Sequence, residues 1–213
     1  MDGSQTLKSM HDAQQPSRDD TGIEDTVRQT RRSSIRMALR DATQAEHGAT
    51  EDAFALFDLT RRGHYRAFLT AHAMALPRFE LAVTGQGWSG WQPRLPALAD
   101  DLAALHAPLP APMIAPRVSP VAAWGVQYVI EGSRLGGRLL SERIPQGAPS
   151  FYLSASPDMS VRWQAFCSAL ERAGAEEGPA WLDEVTNAAI ETFRVFRRAA
   201  DVAAAQAFAE DNL

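Results

Sequence analysis

Apolar residues recur every three or four positions through most of this 213-residue chain, and runs that alternate apolar with polar are essentially missing. The first spacing lines one face of an α-helix and the second one face of a strand, so the chain is expected to be all-α, with six or seven helices. The pattern is clearest from Arg62 to Thr84, where Tyr65, Phe68, Leu69, Ala73, Leu76 and Phe79 follow in helical order and Gly85-Gln86-Gly87 supplies a stop. An earlier helix can be capped by Ser33 or Ser34 and carries Ile35, Leu39, Ala42, Ala49 and Phe54 on its apolar face. Further helices are expected near 97–106, from Pro120 to about Ile144, over 160–174 and over 179–207. Pro108, Pro110, Pro112 and Pro116 stiffen the connector before Pro120. Residues 1–32 are polar and hold hardly any large apolar side chains, too few to offset their ordering entropy. Two parts are therefore expected: a disordered arm over 1–32 and a single helical domain over 33–213.

Within the Pro120–Ile144 pattern, Tyr128, Gly132 and Gly136 recur every four residues and share one face, with Gly137 beside the last. An interior glycine costs a helix about 1 kcal/mol relative to alanine. Three of them imply that something lies against bare backbone. Close packing by another helix and a flat ligand explain the stripe equally well.

Charge and cysteine usage narrow the partners. A net charge of −5 speaks against nucleic acid or an anionic membrane. No apolar run reaches the roughly 18 residues of a membrane span, and the first residues lack the apolar core of a secretory signal. The single cysteine, Cys167, suits a reducing compartment, so a cytoplasmic location is expected. Cys167 follows Phe166 in a helical pattern and reads as a small buried apolar residue. No His-Glu-x-x-His, Gly-x-Ser-x-Gly, P-loop or dinucleotide fingerprint is present.

Of the five histidines, His11, His64, His72 and His106 read as surface or core-edge residues. His47 has more telling neighbours. Arg40 precedes it by seven residues, near two helical turns or roughly 10 Å along one face. Glu51 follows it by four and can accept the proton of one ring nitrogen, the usual way a metal-binding histidine is oriented. A solvated Arg/His/Glu face is the competing explanation.

Taken together, the two signals resemble the haem oxygenases, particularly bacterial biliverdin-producing members. Leu39 to Glu51 looks like the family's proximal helix, and Tyr128 to Leu140, with its Gly-x-x-x-Gly-Gly core, like the distal one. Tyr65-Arg-Ala-Phe-Leu onward to Glu80 resembles the helix between them, and the similarity covers roughly Ser33 to Ala205. The resemblance implies one all-α domain holding haem b between a proximal and a distal helix, with the haem as both cofactor and substrate. It makes His47 the iron ligand and Glu51 its orienting partner, and it gives Arg40 and Tyr128 the propionates. Gly132 and Gly136 would admit haem and O₂, and Phe193 would wall the pocket. Arg194, Arg197 and Arg198 are further propionate candidates. The implied reaction opens haem to biliverdin, CO and Fe²⁺, with electrons from a ferredoxin, flavodoxin or reductase. A biliverdin-binding photoreceptor is a conceivable consumer of the product, and a haem-delivery protein of the same fold is the alternative. Ser133 departs from the family pattern: many members have an aspartate there that anchors proton-delivering water.

Overall fold

The computed structural model describes residues 34–154 and 158–210. The disorder expected of residues 1–32, and His11 with them, lie outside the described residues. Among the described residues the regular structure is helical: α1 (Ile35–Ala55), α2 (Arg62–Val83), α3 (Leu95–Ala104), α4 (Ala122–Ser141), α5 (Met159–Ala173) and α6 (Pro179–Glu210).

Capping groups explain where these helices begin. Ser34 accepts a hydrogen bond from Met37 N at 3.3 Å, and Glu171 of α5 takes the Ile35 and Arg36 amides, each at 3.1 Å. Those amides are orphan donors of the first turn, where a carboxylate is favoured. Helix α3 starts two residues before the expected position because Glu80 of α2 reaches across. Its two oxygens accept from Arg94 N (2.6 Å) and Leu95 N (3.2 Å), while Pro96 fits the first turn. At α4, the Ser119 side chain accepts from Ala122 N at 3.0 Å and its carbonyl from Ala123 N at 2.9 Å, so Pro120 lies in the turn just before the helix.

Gly85 (φ 74°) and Gly87 (φ 65°) follow α2, and that left-handed backbone favours glycine. Pro77 sits inside α2 without ending it. One turn back, the Met74 carbonyl accepts from Met113 N at 2.7 Å and so ties down the proline-rich connector. The sequence pattern did not reveal this attachment.

Helix α6, 32 residues and so about 48 Å long, packs against α1, α2 and α4 and runs along the core. Most of the α2 face is buried in the larger apolar cluster, with Tyr65, Leu69, Leu76 and Phe79 fully inaccessible. A smaller cluster joins Leu39 of α1, Phe166 and Leu170 of α5, and Trp181 and Val185 of α6. Cys167 only partly enters it: the thiol is half-buried rather than buried, and desolvation raises its pKa.

Candidate functional site

Helices α1 and α4 border two adjoining hollows of about 360 and 610 Å³. Such volumes are typical of sites for small organic ligands. His47, Glu51, Gly132, Ser133 and Phe193 line both, Gly136 lines the smaller, and Arg40 and Tyr128 line the larger. The candidates read from separate parts of the sequence thus meet around one cleft. The three C-terminal arginines line neither hollow. Arg194 Nε and Arg197 Nη1 instead contact Glu46 at 2.9 and 3.1 Å, and Arg194 Nη1 contacts Glu191 at 2.7 Å.

His47 sits on the exposed stripe of α1, its Nδ1 3.5 Å from Glu51 Oε2. That contact leaves Nε2 on the other side of the ring as a ligand atom. The edge of the imidazole meets Phe193 of α6, with ring centroids 5.3 Å apart and planes at 86°. Thr50 holds α6 close at this level, donating to the Glu46 carbonyl (2.7 Å) and lying 3.2 Å from the Phe193 carbonyl. In the larger hollow Tyr128 leans on Trp163 of α5, which stacks in turn on Phe166. Burial raises the Tyr128 phenol pKa despite a hydrogen bond with Thr43.

The glycine stripe now has a physical reading. A Cβ at Gly136 would meet no atom within 4 Å, and one at Gly132 would only touch the Trp163 ring at 3.6 Å. Neither glycine is there for a neighbouring helix. Gly125, one turn before Tyr128, is the packing glycine: a Cβ there would lie 2.0 Å from the Val185 carbonyl and 2.9 Å from Ala189 N of α6. Gly137 faces the Leu153 carbonyl at 3.4 Å, a tighter but negotiable contact.

One end of the smaller hollow is polar in a way the sequence did not signal. Arg94 is buried, and its Nη1 donates to Ser133 Oγ at 2.8 Å while Nη2 donates to the Tyr152 carbonyl at 3.2 Å. Its guanidinium carbon lies 4.0 Å above the Tyr152 ring. Ser133 donates its own proton to the Ile130 carbonyl at 2.9 Å. The Tyr152 hydroxyl is buried beside the same guanidinium, and its proton has no acceptor among the described residues.

His72 enters the same hollow from α2, among the rings of Phe54, Phe68, Tyr152 and Phe196 at centroid distances of 4.4–5.7 Å. Although one edge opens on the hollow, desolvation pushes its pKa down to about 3. Its Nδ1 lies 2.9 Å from the Phe68 carbonyl, which requires the proton on that nitrogen and leaves Nε2 an acceptor. Behind this wall Glu131, fully buried, takes a two-pronged contact from Arg162 Nε (2.7 Å) and Nη2 (2.8 Å), joining α4 to α5.

No family model matches the sequence. A haem oxygenase from Xanthomonas campestris pv. campestris (strain 8004) is 32% identical over 120 residues, covering 51% of this chain and 72% of that protein. The chain belongs to the haem oxygenase family. The all-helical architecture agrees with haem oxygenase membership, and among the described residues no helix is long and apolar enough to cross a membrane. The residues of this haem oxygenase relative also suit a planar ligand carrying a metal. An imidazole shares a hollow with Gly136, which has open space in front of it, Arg40 stands at the outer hollow, and the proton of a buried hydroxyl lacks an acceptor among the described residues.

Proposed function

We propose that this family member opens haem to biliverdin, using O₂ and electrons from an external donor. The observation that carries the proposal is the open space in front of Gly136, in the hollow that His47 also lines. A packing motif would have filled that space with a helix. Bound haem would supply the redox-active iron and the meso carbon at which the ring opens, with CO and Fe²⁺ released.

The chain's own residues then have distinct tasks. His47 offers Nε2 to the iron, and Glu51 accepts from Nδ1, holding the ring plane and keeping the imidazole a good donor. Arg40 and Tyr128, at the outer hollow, would meet the propionate carboxylates by an ion pair and a charge-assisted hydrogen bond. Gly132 and Gly136 keep side chains away so that the ligand approaches the α4 backbone. Phe193 and Val129 exclude water from the apolar faces. The sequence holds no flavin or nicotinamide motif, so a ferredoxin, flavodoxin or reductase is the proposed donor.

Hemin titration followed by reductant under air tests this reading. A Soret band should appear and then give way to biliverdin absorbance. A Soret band that persists without biliverdin would make the chain a haem-binding or delivery protein. The absence of a Soret shift would overturn both. His47→Ala should abolish the native ferric spectrum, and a variant with wild-type bands would refute the ligand assignment.

A further inference from the structure

The group that Ser133 touches is a buried cation. Ser133 Oγ accepts from Arg94 Nη1 and gives its proton to the Ile130 carbonyl, so the serine has no proton left for the hollow. The Tyr152 hydroxyl is different. Tyr152 is 5% exposed, lines the hollow and lies beneath the guanidinium, which approaches its hydroxyl oxygen, while the hydroxyl proton has no acceptor among the described residues. A buried hydroxyl in that state needs a ligand or an ordered water.

The carboxylates around Arg94 are committed elsewhere. Glu80 takes the backbone amides of Arg94 and Leu95, and Glu131 is held by Arg162 and lies 3.3 Å from Arg134 Nε. His72, across the hollow, is kept neutral by its burial, and His47 and the Glu51 carboxylate line the α1 side of the same hollow. The side-chain contacts of Arg94 within the hollow are therefore a neutral hydroxyl, a carbonyl and an aromatic face. None of these three groups carries a charge, although the Glu80 carboxylate lies within electrostatic range of the guanidinium.

We propose that Arg94 is the positioning residue of this end of the site. It fixes the Ser133 hydroxyl and, together with the Tyr152 hydroxyl, makes the hollow a receptor for small anionic ligands of the bound iron. The inference rests on the haem reading above and deepens it. At this end of the hollow the chain presents a guanidinium and a phenol proton without an acceptor among the described residues.

The test uses full-length protein loaded with ferric hemin and titrated with azide, an anion, and with imidazole, a neutral ligand. Arg94→Gln should weaken azide binding at least about tenfold and leave imidazole binding within about twofold, because only the anion feels the lost charge. Arg94→Lys should recover most of the azide affinity. Ser133→Asp is an independent route that keeps the arginine: Ser133 is exposed, and a carboxylate there neutralises the guanidinium, so azide should again weaken selectively. Tyr152→Phe should weaken azide about tenfold, the scale of one hydrogen bond to a charged acceptor. Equal losses for azide and imidazole, or no change in azide affinity in either Arg94→Gln or Ser133→Asp, would overturn the proposal while the Soret band still supports haem binding. A wild-type protein with no Soret band would overturn the haem reading and this inference with it.

Discussion

In the first half of α4 the backbone of α6 lies against Gly125, so close that a Cβ would sit 2.0 Å from the Val185 carbonyl. In the second half no atom stands within 4 Å of the Cβ position of Gly136. The same residue type serves opposite purposes about three turns apart. At Gly125 it brings two helices together, and at Gly136 it leaves room beside one. A stripe of small residues therefore carries no meaning until its neighbours are known. In α4 the packed half anchors the helix so that the open half can face a cleft.

The largest expected effect tests the packed half. Gly125→Ala should destabilise the protein by about 1–3 kcal/mol, because the obstructing atoms are backbone and cannot rotate away. Chemical denaturation measures this, and an unchanged midpoint would mean that the two helices sit further apart than described.

The two halves should also differ in acid. Gly125 faces Val185, Ala188 and Ala189, none of them titratable, whereas the open half borders the hollow that holds His72. The folded pKa of His72 is lowered to about 3, below its unfolded value of about 6.5. Between those values the unfolded chain binds a proton that the folded chain refuses, so stability is complete above about pH 6.5 and falls as the pH drops toward 3. Desolvation raises the pKa values of Glu80 and Asp101, which acts in the opposite sense, so His72 is isolated by difference. His72→Phe should flatten the fall of stability with pH below 6.5, by up to roughly 1 kcal/mol per pH unit. Parallel stability–pH curves for the variant and the wild type would contradict the buried neutral imidazole.

The smallest effect concerns the open half. Gly136→Ala should raise stability by about 0.5–1 kcal/mol through helix propensity alone, while perturbing the hemin Soret band. A stability loss there would show that the space in front of Gly136 is filled.

The helices were legible because burial imposes a periodicity on local sequence, and Tyr65 through Phe79 displayed it without interruption. Their ends shifted by two or three residues where caps came from elsewhere. Glu80 starts α3 from fourteen positions away, and no local pattern encodes that. The same division holds for the site. His47 and Glu51 could be paired from the sequence because four residues bring them to one face. Arg94 could not: it lies among tryptophan, glycine and proline residues with no period, and it reaches Ser133 across 39 positions. Tyr152 stands in the loop between α4 and α5, where sequence gives no direction to a side chain. His72 matched its core-edge reading, but its place beside the hollow depends on four rings from three helices and a loop.

The grip of Arg194 and Arg197 on Glu46 has a consequence for the very next residue. Each step along α1 turns the helix by about 100°, so whatever fixes the azimuth of Glu46 also fixes that of His47. With side chains about 5–6 Å from the axis, every 10° of roll would carry the imidazole sideways by about 1 Å. A displacement of that size can slow a reaction about a hundredfold. The two ion pairs thus brace the turn of α1 that carries His47, a side chain that neither arginine is described as touching.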